Sequence, residues 1–226
     1  MVSARELPDV GFVLVDDRSP VFDADDGNLG TAISFLETAL LPESQEAKRE
    51  EVIGFCADNP DALHRTCLEG HLTASGFVVD TATDSVALIH HRKLDLWLQP
   101  GGHADGEGNL ALVARTEVHE EVGLSGLTWV LPAFDLNVHR IPARADEPEH
   151  LHLDLRFLAL VGDGIAGNEL TVNHTETRGS GWIDRTDQRF NAVKDVQVAA
   201  GRGLELAAGL VDAAALRPEA SAGSAP

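Results

Sequence analysis

The sequence contains few residues of several types, and each shortage excludes a class of protein or of site. It has no tyrosine, one methionine and two cysteines among 226 residues. Cys56 and Cys67 form neither a CxxC pair nor a disulfide framework, so we expect both to be small buried apolar residues. No apolar run approaches the roughly 20 residues that span a bilayer, so no membrane partner is expected.

Basic residues are also scarce. Lysine and arginine total 17 against 37 aspartates and glutamates, which gives a formal net charge of −20. This charge opposes binding to a nucleic-acid duplex or an anionic membrane. A small phosphate-bearing partner would need a cation to bridge the repulsion. The first residues contain no apolar stretch followed by a cleavage site, so we expect no signal peptide and a cytoplasmic location.

The segment 30–70 has the pattern of helices. Apolar residues recur at helical spacing at its start, at Ile33, Leu36, Ala39 and Leu40. Pro42 interrupts the pattern, and Ser44 can cap a second helix that runs to about Ala57. Pro60 fits the first turn of a third helix. No element is predicted for the residues before about position 28.

After residue 70 the sequence pattern changes to short stretches rich in β-branched residues. These predict strands at 71–80, 85–93, 127–143, 150–164 and 179–184. Within 150–157, apolar and polar residues alternate, which gives the strand one face of each kind. Residues 194–216 predict a C-terminal helix, and 217–226 form a low-complexity tail.

This order of elements predicts an α+β fold with a mixed sheet and one helix set among strands. Hydrophobic residues make up 43% of the chain, enough for a substantial core. We expect three parts: a helical extension at 1–69 that packs on the core, a main domain at 70–212, and a disordered tail at 213–226.

Three carboxylates crowd the end of the helix that is set among strands. If residues 110–122 are helical, Glu117, Glu120 and Glu121 fall within about 100° of one another and project from one face. Gly123 suits a left-handed C-cap. The helix C-terminus is already the negative end of the helix dipole, so these acids are unfavourable for helix stability. Their placement favours a functional role, and Mg²⁺ binds carboxylate and carbonyl oxygens.

The residues around these acids resemble the signature of the Nudix hydrolase family, G-x5-E-x7-R-E-U-x-E-E-x-G-U, where U is a bulky aliphatic residue. An ungapped match from Gly102 places these family positions at Glu117, Val118, Glu120, Glu121, Gly123 and Leu124. With the flanking strands, the resemblance covers roughly residues 70 to 185. It implies an α/β/α sandwich around a mixed sheet, and cleavage of a diphosphate compound with Mg²⁺ or Mn²⁺.

Two signature positions differ from the family pattern. Gly108 stands at the first glutamate position and Thr116 at the arginine position. Glu107 lies in a loop, where a shift of one residue is absorbed easily, so it could supply the missing acid. Arg115 lies on the helix, where one residue turns a side chain by about 100° and directs it away from the acidic face.

The resemblance implies a metal site formed by the Gly102 carbonyl with Glu117, Glu120 and Glu121. Glu120 and Glu121 are the candidate catalytic acids, and Glu120 could be the general base. Candidate substrate-binding residues are His103, His152, Asp154 and Glu176. Histidines 71, 103 and 152 could instead form a separate metal site, although their spacing matches no recognised pattern.

The sequence therefore predicts a metal-dependent pyrophosphohydrolase acting on a small nucleotide or another diphosphate compound. The alternative is a non-hydrolytic or very weakly active protein of the same fold that binds a diphosphate ligand, which Gly108 and Thr116 favour. An isomerase of this fold and a protein-interaction module that uses the N-terminal helices are further alternatives. Those helices could pack on their own core or form a homodimer.

Overall fold

We describe the chain from a computed structural model. The description covers residues 5–7, 11–24, 27–144, 148–162, 170–171, 173, 175 and 177–215. Within these ranges, one mixed sheet of nine strands packs with four α-helices. The predicted α+β class is confirmed.

The elements follow one another in this order. The strands are β1 (Arg5–Leu7), β2 (Phe12–Asp16), β3 (Gly70–Asp80), β4 (Ser85–His91), β5 (Leu96–Leu98), β6 (Gly101–His103), β7 (Thr128–Ile141), β8 (His150–Leu160) and β9 (Thr177–Asp184). The helices are α1 (Leu29–Thr38), α2 (Glu46–Asp58), α3 (Leu110–Val122) and α4 (Lys194–Ala215).

The sheet is mixed because one central pair is parallel. Its strands lie in the order β1-β2-β7-β8-β3-β4-β5, with β6 added on β3 and β9 added on β4. Strands β3 and β8 run parallel, and their register sets His71 beside His152. The other strand pairs are antiparallel. Residues far apart in the chain therefore meet across β3, β6, β7 and β8.

Helices cover both faces of this sheet. On one face, α1, α2 and α3 pack over alternate strand residues, among them Leu72, Leu153 and Leu155. On the other face, α4 packs over the strand residues that alternate with these, including Phe77 of β3 and Leu158 of β8. Side chains of successive strand residues point to opposite faces, so this alternation divides the core into two layers.

The prediction of a third N-terminal helix from Pro60 is wrong. Residues 60–66 form turns instead. The carbonyl of Ala62 accepts a hydrogen bond from the Leu72 amide at 2.8 Å, and the carbonyl of Leu63 accepts one from the Gly106 amide at 2.9 Å. Bonds to β3 and to the loop before α3 thus take carbonyls that a helix would use internally.

The N-terminal segment contributes strands as well as helices. Strand β2 pairs antiparallel with β7, with Val13 opposite Leu131. The division into an extension and a main domain at residue 69 stays a prediction, as does the homodimer. Residues 213–215 belong to α4, and the predicted tail from residue 216 onward lies outside the described residues.

Both cysteines are buried, at 1% exposure for Cys56 and 2% for Cys67, and neither forms a disulfide. The prediction that they are buried residues is confirmed. Among the described residues, no helix combines the length and the apolar character that crossing a membrane requires.

Candidate functional site

The helix that carries the acidic cluster has the bounds that the sequence predicts, Leu110–Val122. At its start, the Asn109 side chain accepts a hydrogen bond from the Leu112 amide at 3.1 Å and donates one to the Val21 carbonyl at 2.7 Å. At its end, Gly123 has a φ of 70°, the left-handed cap that glycine adopts without strain. These caps fix where the last turn and its glutamates lie.

The glutamates of this turn meet strand β6. The Glu121 carboxylate is 3% exposed, and its Oε2 accepts a hydrogen bond from the Gly101 amide at 3.0 Å. The Glu117 carboxylate lies directly over Gly102, so that a Cβ built on this glycine would be 2.5 Å from Glu117 Cδ. Glu120 is exposed to solvent. The structure thus brings together the glycine and glutamate positions of the signature.

This arrangement suits a hard divalent cation. Carboxylates from α3 present oxygen ligands, which Mg²⁺ and Mn²⁺ prefer, and they lie beside the backbone of β6. Since Gly102 has no side chain, the Glu117 carboxylate occupies the space that a Cβ would fill. The residues present therefore fit a metal held by Glu117, Glu120, Glu121 and the Gly102 carbonyl.

Arg115 does not take the place of the missing signature arginine. Its Nε donates to Asp17 Oδ1 at 3.0 Å, and its guanidinium stacks 5.5 Å from the centre of the Phe22 ring. Asp17 also accepts hydrogen bonds from the Gly126 amide at 2.8 Å and from Trp129 Nε1 at 3.0 Å. Arg115 therefore ties α3 to the N-terminal part of the chain, away from the glutamates.

Two further residues bear on the departures from the signature. Thr116, which stands at the arginine position within α3, is exposed. In the loop before α3, Glu107 Oε1 accepts a hydrogen bond from the Asn109 amide at 2.7 Å. Glu107 thereby supports the helix start, and its proposed use as a substitute for the acid absent at Gly108 stays a prediction.

Five histidines gather on the sheet next to this site. His103 Nε2 and His152 Nε2 are 3.2 Å apart. Ring centres lie 4.8 to 5.2 Å apart in six pairs drawn from His71, His103, His139, His150 and His152. The sequence analysis grouped three of these, His71, His103 and His152. His139 joins them because it lies opposite His152 in the β7–β8 pair, and His150 because it lies two residues before His152 on β8.

These surroundings keep two of the histidines neutral. Burial lowers the pKa of His103 to about 4, and the positive charge of Arg65 adds to the effect. Burial likewise lowers the pKa of His152 to about 2, with further lowering from the neighbouring His103 and His139. At neutral pH both imidazoles are therefore uncharged, and a neutral imidazole can bind a cation through its lone-pair nitrogen.

Asp154 lies deep in the sheet, at 2% exposure. Its carboxylate accepts hydrogen bonds from Thr73 at 3.1 Å, Ser75 at 2.8 Å, Gln99 at 3.3 Å and Arg156 at 2.8 Å. These bonds occupy both carboxylate oxygens within the protein. Direct contact of Asp154 with substrate stays a prediction.

A buried arginine, which no sequence pattern predicted, lies at the centre of this network. Arg156 is 2% exposed and donates to Asp135 at 3.0 Å and to Asp195 at 2.6 Å, besides its bond to Asp154. Burial lowers the pKa of the guanidinium, but the three carboxylates outweigh it and raise that pKa. The alternation of apolar and polar residues predicted the polar face of β8. Nothing in the sequence indicated that Asp195 of α4 would contact it.

Glu176, the fourth predicted substrate-binding residue, lies outside the described residues. His103 and His152 are half-buried and face each other, so they are the predicted substrate-binding residues that the structure brings together.

Several solved structures are similar to part of this chain. A NUDIX-family hydrolase from Clostridium perfringens shares 22% identity, with 61% of this chain and 97% of that chain covered and a TM-score of 0.44. A C. elegans Ap4A hydrolase shares 15% identity over 62% of this chain and 98% of that chain, with a TM-score of 0.46. A MutT NUDIX hydrolase from Burkholderia pseudomallei shares 19% identity over 58% and 96%, with a TM-score of 0.41.

A scan against protein-family models finds no match, and neither does a comparison with curated proteins.

Proposed function

We propose that this chain is a Nudix-type hydrolase that uses Mg²⁺ or Mn²⁺ to cleave a diphosphate linkage. Its substrate is a small nucleotide or another compound in which a diphosphate is joined to a further group. The proposal includes the family fold, an α/β/α sandwich, with which the helices on both sheet faces agree.

One observation carries the proposal. Glu117 and Glu121 on α3 both reach the two glycines of β6, one through its position over Gly102 and the other through its bond to the Gly101 amide. Gly102, Glu117 and Glu121 are positions of the signature, and Gly101 directly precedes its first glycine. Acids chosen for solubility would face solvent, but Glu121 is 3% exposed.

The three glutamates have different environments, which supports different roles. When bound, a divalent ion neutralises phosphate charge and lowers the pKa of an attacking water. Buried Glu121 and half-buried Glu117 are fixed by β6 and would hold the ion. Exposed Glu120 is free to turn toward a water, so we propose that its carboxylate accepts the water's proton.

The non-hydrolytic alternative has one structural observation in its favour. The guanidinium of Arg115 is bonded to Asp17, and the exposed Thr116 brings no charge to the arginine position. A site without that charge would bind a diphosphate but stabilise its transition state less well. The two functions differ in turnover, and both require the ion.

The first experiment measures phosphate and pyrophosphate release from nucleoside triphosphates, dinucleotides, nucleotide sugars and prenyl diphosphates, with Mg²⁺ and with Mn²⁺. We expect metal-dependent turnover on one class. Glu121→Gln and Glu120→Gln should each lower it by about 100-fold or more, since each removes a charge from the site.

Glu51→Gln is the matched control, because Glu51 is an exposed glutamate on α2. It should leave turnover unchanged. If the folded protein turns over no member of the panel but binds a diphosphate with Mn²⁺, the non-hydrolytic alternative holds. If Glu121→Gln leaves both turnover and Mn²⁺ affinity unchanged, the glutamates are not the metal site and both proposals fail.

A further inference from the structure

The histidines beside the glutamates form a second, chemically different group. Strand β6 separates the two groups. Gly102 pairs with Ala74, on the face that α3 covers, whereas His103 pairs with Thr73, whose side chain points to the opposite face. The glutamates therefore approach β6 from one side and the histidines lie on the other.

Four strands bring the imidazoles together. His71 of β3 lies beside His152 of β8, which in turn lies beside His139 of β7. His103 joins them from β6. These strands are held by their ladder hydrogen bonds, so the site is set by rigid elements and not by a loop.

Three of the imidazoles have nitrogens close enough together to share one metal ion. One nitrogen from each of His71, His103 and His152 lies within 4.8 Å of the other two. Two nitrogens bound to one tetrahedral Zn²⁺ are about 3.4 Å apart, because each bond is about 2.1 Å long. The His103 and His152 nitrogens, 3.2 Å apart, already match that spacing.

A hydrogen bond between two imidazoles explains only part of this arrangement. One proton shared between His103 and His152 accounts for their close contact, but not for a nitrogen of a third ring within 4.8 Å of both. His71 is buried, whereas His103 and His152 are half-buried, so two of the three imidazoles are accessible from solvent.

We propose that His71, His103 and His152 bind a divalent transition-metal ion such as Zn²⁺, at a site distinct from the glutamate cluster. Imidazole nitrogens select Zn²⁺, Cu²⁺ and Ni²⁺, whereas Mg²⁺ prefers the oxygens on the other side of β6. Three protein ligands leave a fourth position for water. The direct contact of His103 and His152 with substrate stays a separate prediction.

The test measures Zn²⁺ binding to the full chain, prepared without a polyhistidine tag and freed of metal with a chelator. Calorimetry should show one tight Zn²⁺ site per chain, and Co²⁺ in its place should give the visible absorption of tetrahedral coordination. His103→Gln and His152→Gln should each weaken Zn²⁺ binding by at least about 10-fold. His103→Cys, which keeps a ligand, should restore binding and change the Co²⁺ spectrum.

Two controls locate the ion. His119→Gln removes an exposed histidine of α3, and Glu121→Gln alters the glutamate cluster; both should keep the Zn²⁺ affinity of the parent. The proposal fails if the folded protein binds no Zn²⁺. It also fails if Glu121→Gln abolishes binding while His103→Gln keeps it, because the ion then lies among the glutamates. Neither readout depends on hydrolysis.

Discussion

A single absent side chain makes room for the proposed metal ligand Glu117. Any Cβ at position 102 would lie 2.5 Å from Glu117 Cδ and 3.0 Å from its Oε2. The obstructed atoms belong to the end of a flexible side chain, so the fold can absorb an added methyl group by moving the carboxylate. The absence of a side chain at Gly102 therefore affects the position of the Glu117 carboxylate more than the stability of the fold.

We expect Gly102→Ala to lower Mn²⁺ affinity and metal-dependent turnover by about 10- to 100-fold, as displaced metal ligands commonly do. The midpoint of thermal unfolding should change by only a few degrees, which corresponds to about 1 kcal/mol. Metal titration and a thermal scan measure the two effects.

Gly54→Ala is the control, since a Cβ at this position in α2 meets nothing within 4 Å. It should leave Mn²⁺ affinity unchanged. Full Mn²⁺ affinity in Gly102→Ala would show that the position of Glu117 over this glycine is irrelevant to metal binding.

At the scale of elements, one guanidinium joins three of them. Arg156 of β8 bonds to Asp135 of β7 and Asp195 of α4, and Arg202 of α4 also pairs with Asp135. Burial alone raises the pKa of Asp135, but the two arginines lower it below its usual range. The polar face of β8, which resembles a solvent-facing surface in the sequence, is a buried connection between the sheet and α4.

Arg156→Met should destabilise the protein by about 3–5 kcal/mol, because it leaves buried carboxylates without their counter-charge. Urea unfolding monitored by circular dichroism gives this difference. Arg185→Met is the comparison, since Arg185 pairs with Asp84 at the surface, where both side chains are more than a third exposed. That loss should cost less than about 1 kcal/mol. Equal effects of the two substitutions would contradict the structural role of Arg156.

Helix α3 shows how one element serves two purposes. Its buried residues, such as Val118, pack against the sheet, while its last turn carries the glutamates. Arg115 on its third face anchors it to Asp17, near the end of β2. Because packing, capping and this ion pair hold the helix, it can tolerate acids at its negative end.

At the scale of the whole molecule, the lowered pKa values of His103 and His152, about 4 and about 2, link stability to pH. In the unfolded chain both histidines take up protons near pH 6.5, whereas the folded protein keeps them neutral. The unfolded state thus binds more protons below about pH 6.5, so stability must fall as the pH drops from there toward 4.

For metal-free protein in chelator, we expect the unfolding free energy to fall between about pH 6.5 and 4.5. Each histidine contributes less than about 1.4 kcal/mol per pH unit, since both are half-buried and partly screened. Urea unfolding across this range measures the slope, which His152→Phe should reduce. A parent protein whose stability is flat over this interval would contradict the buried, neutral state of the two imidazoles.

Local patterns in the sequence determined the position and the faces of several helices and strands. The bounds of α3, its glycine cap and the common face of its glutamates follow from helical periodicity and from the residues at its ends. The alternation in 150–157 likewise predicted β8. Such features depend on neighbours a few residues apart, which is why they can be read without the fold.

The tertiary structure alone decided how those residues are used. It divided the glutamates into buried Glu121, half-buried Glu117 and exposed Glu120, and it paired Arg115 with Asp17, 98 residues earlier in the chain. It also gathered histidines from four strands, because the parallel pairing of β3 with β8 sets a register that local pattern does not encode. Partners distant in sequence meet only through packing and strand order, so the sequence identifies candidate residues and the fold brings them together.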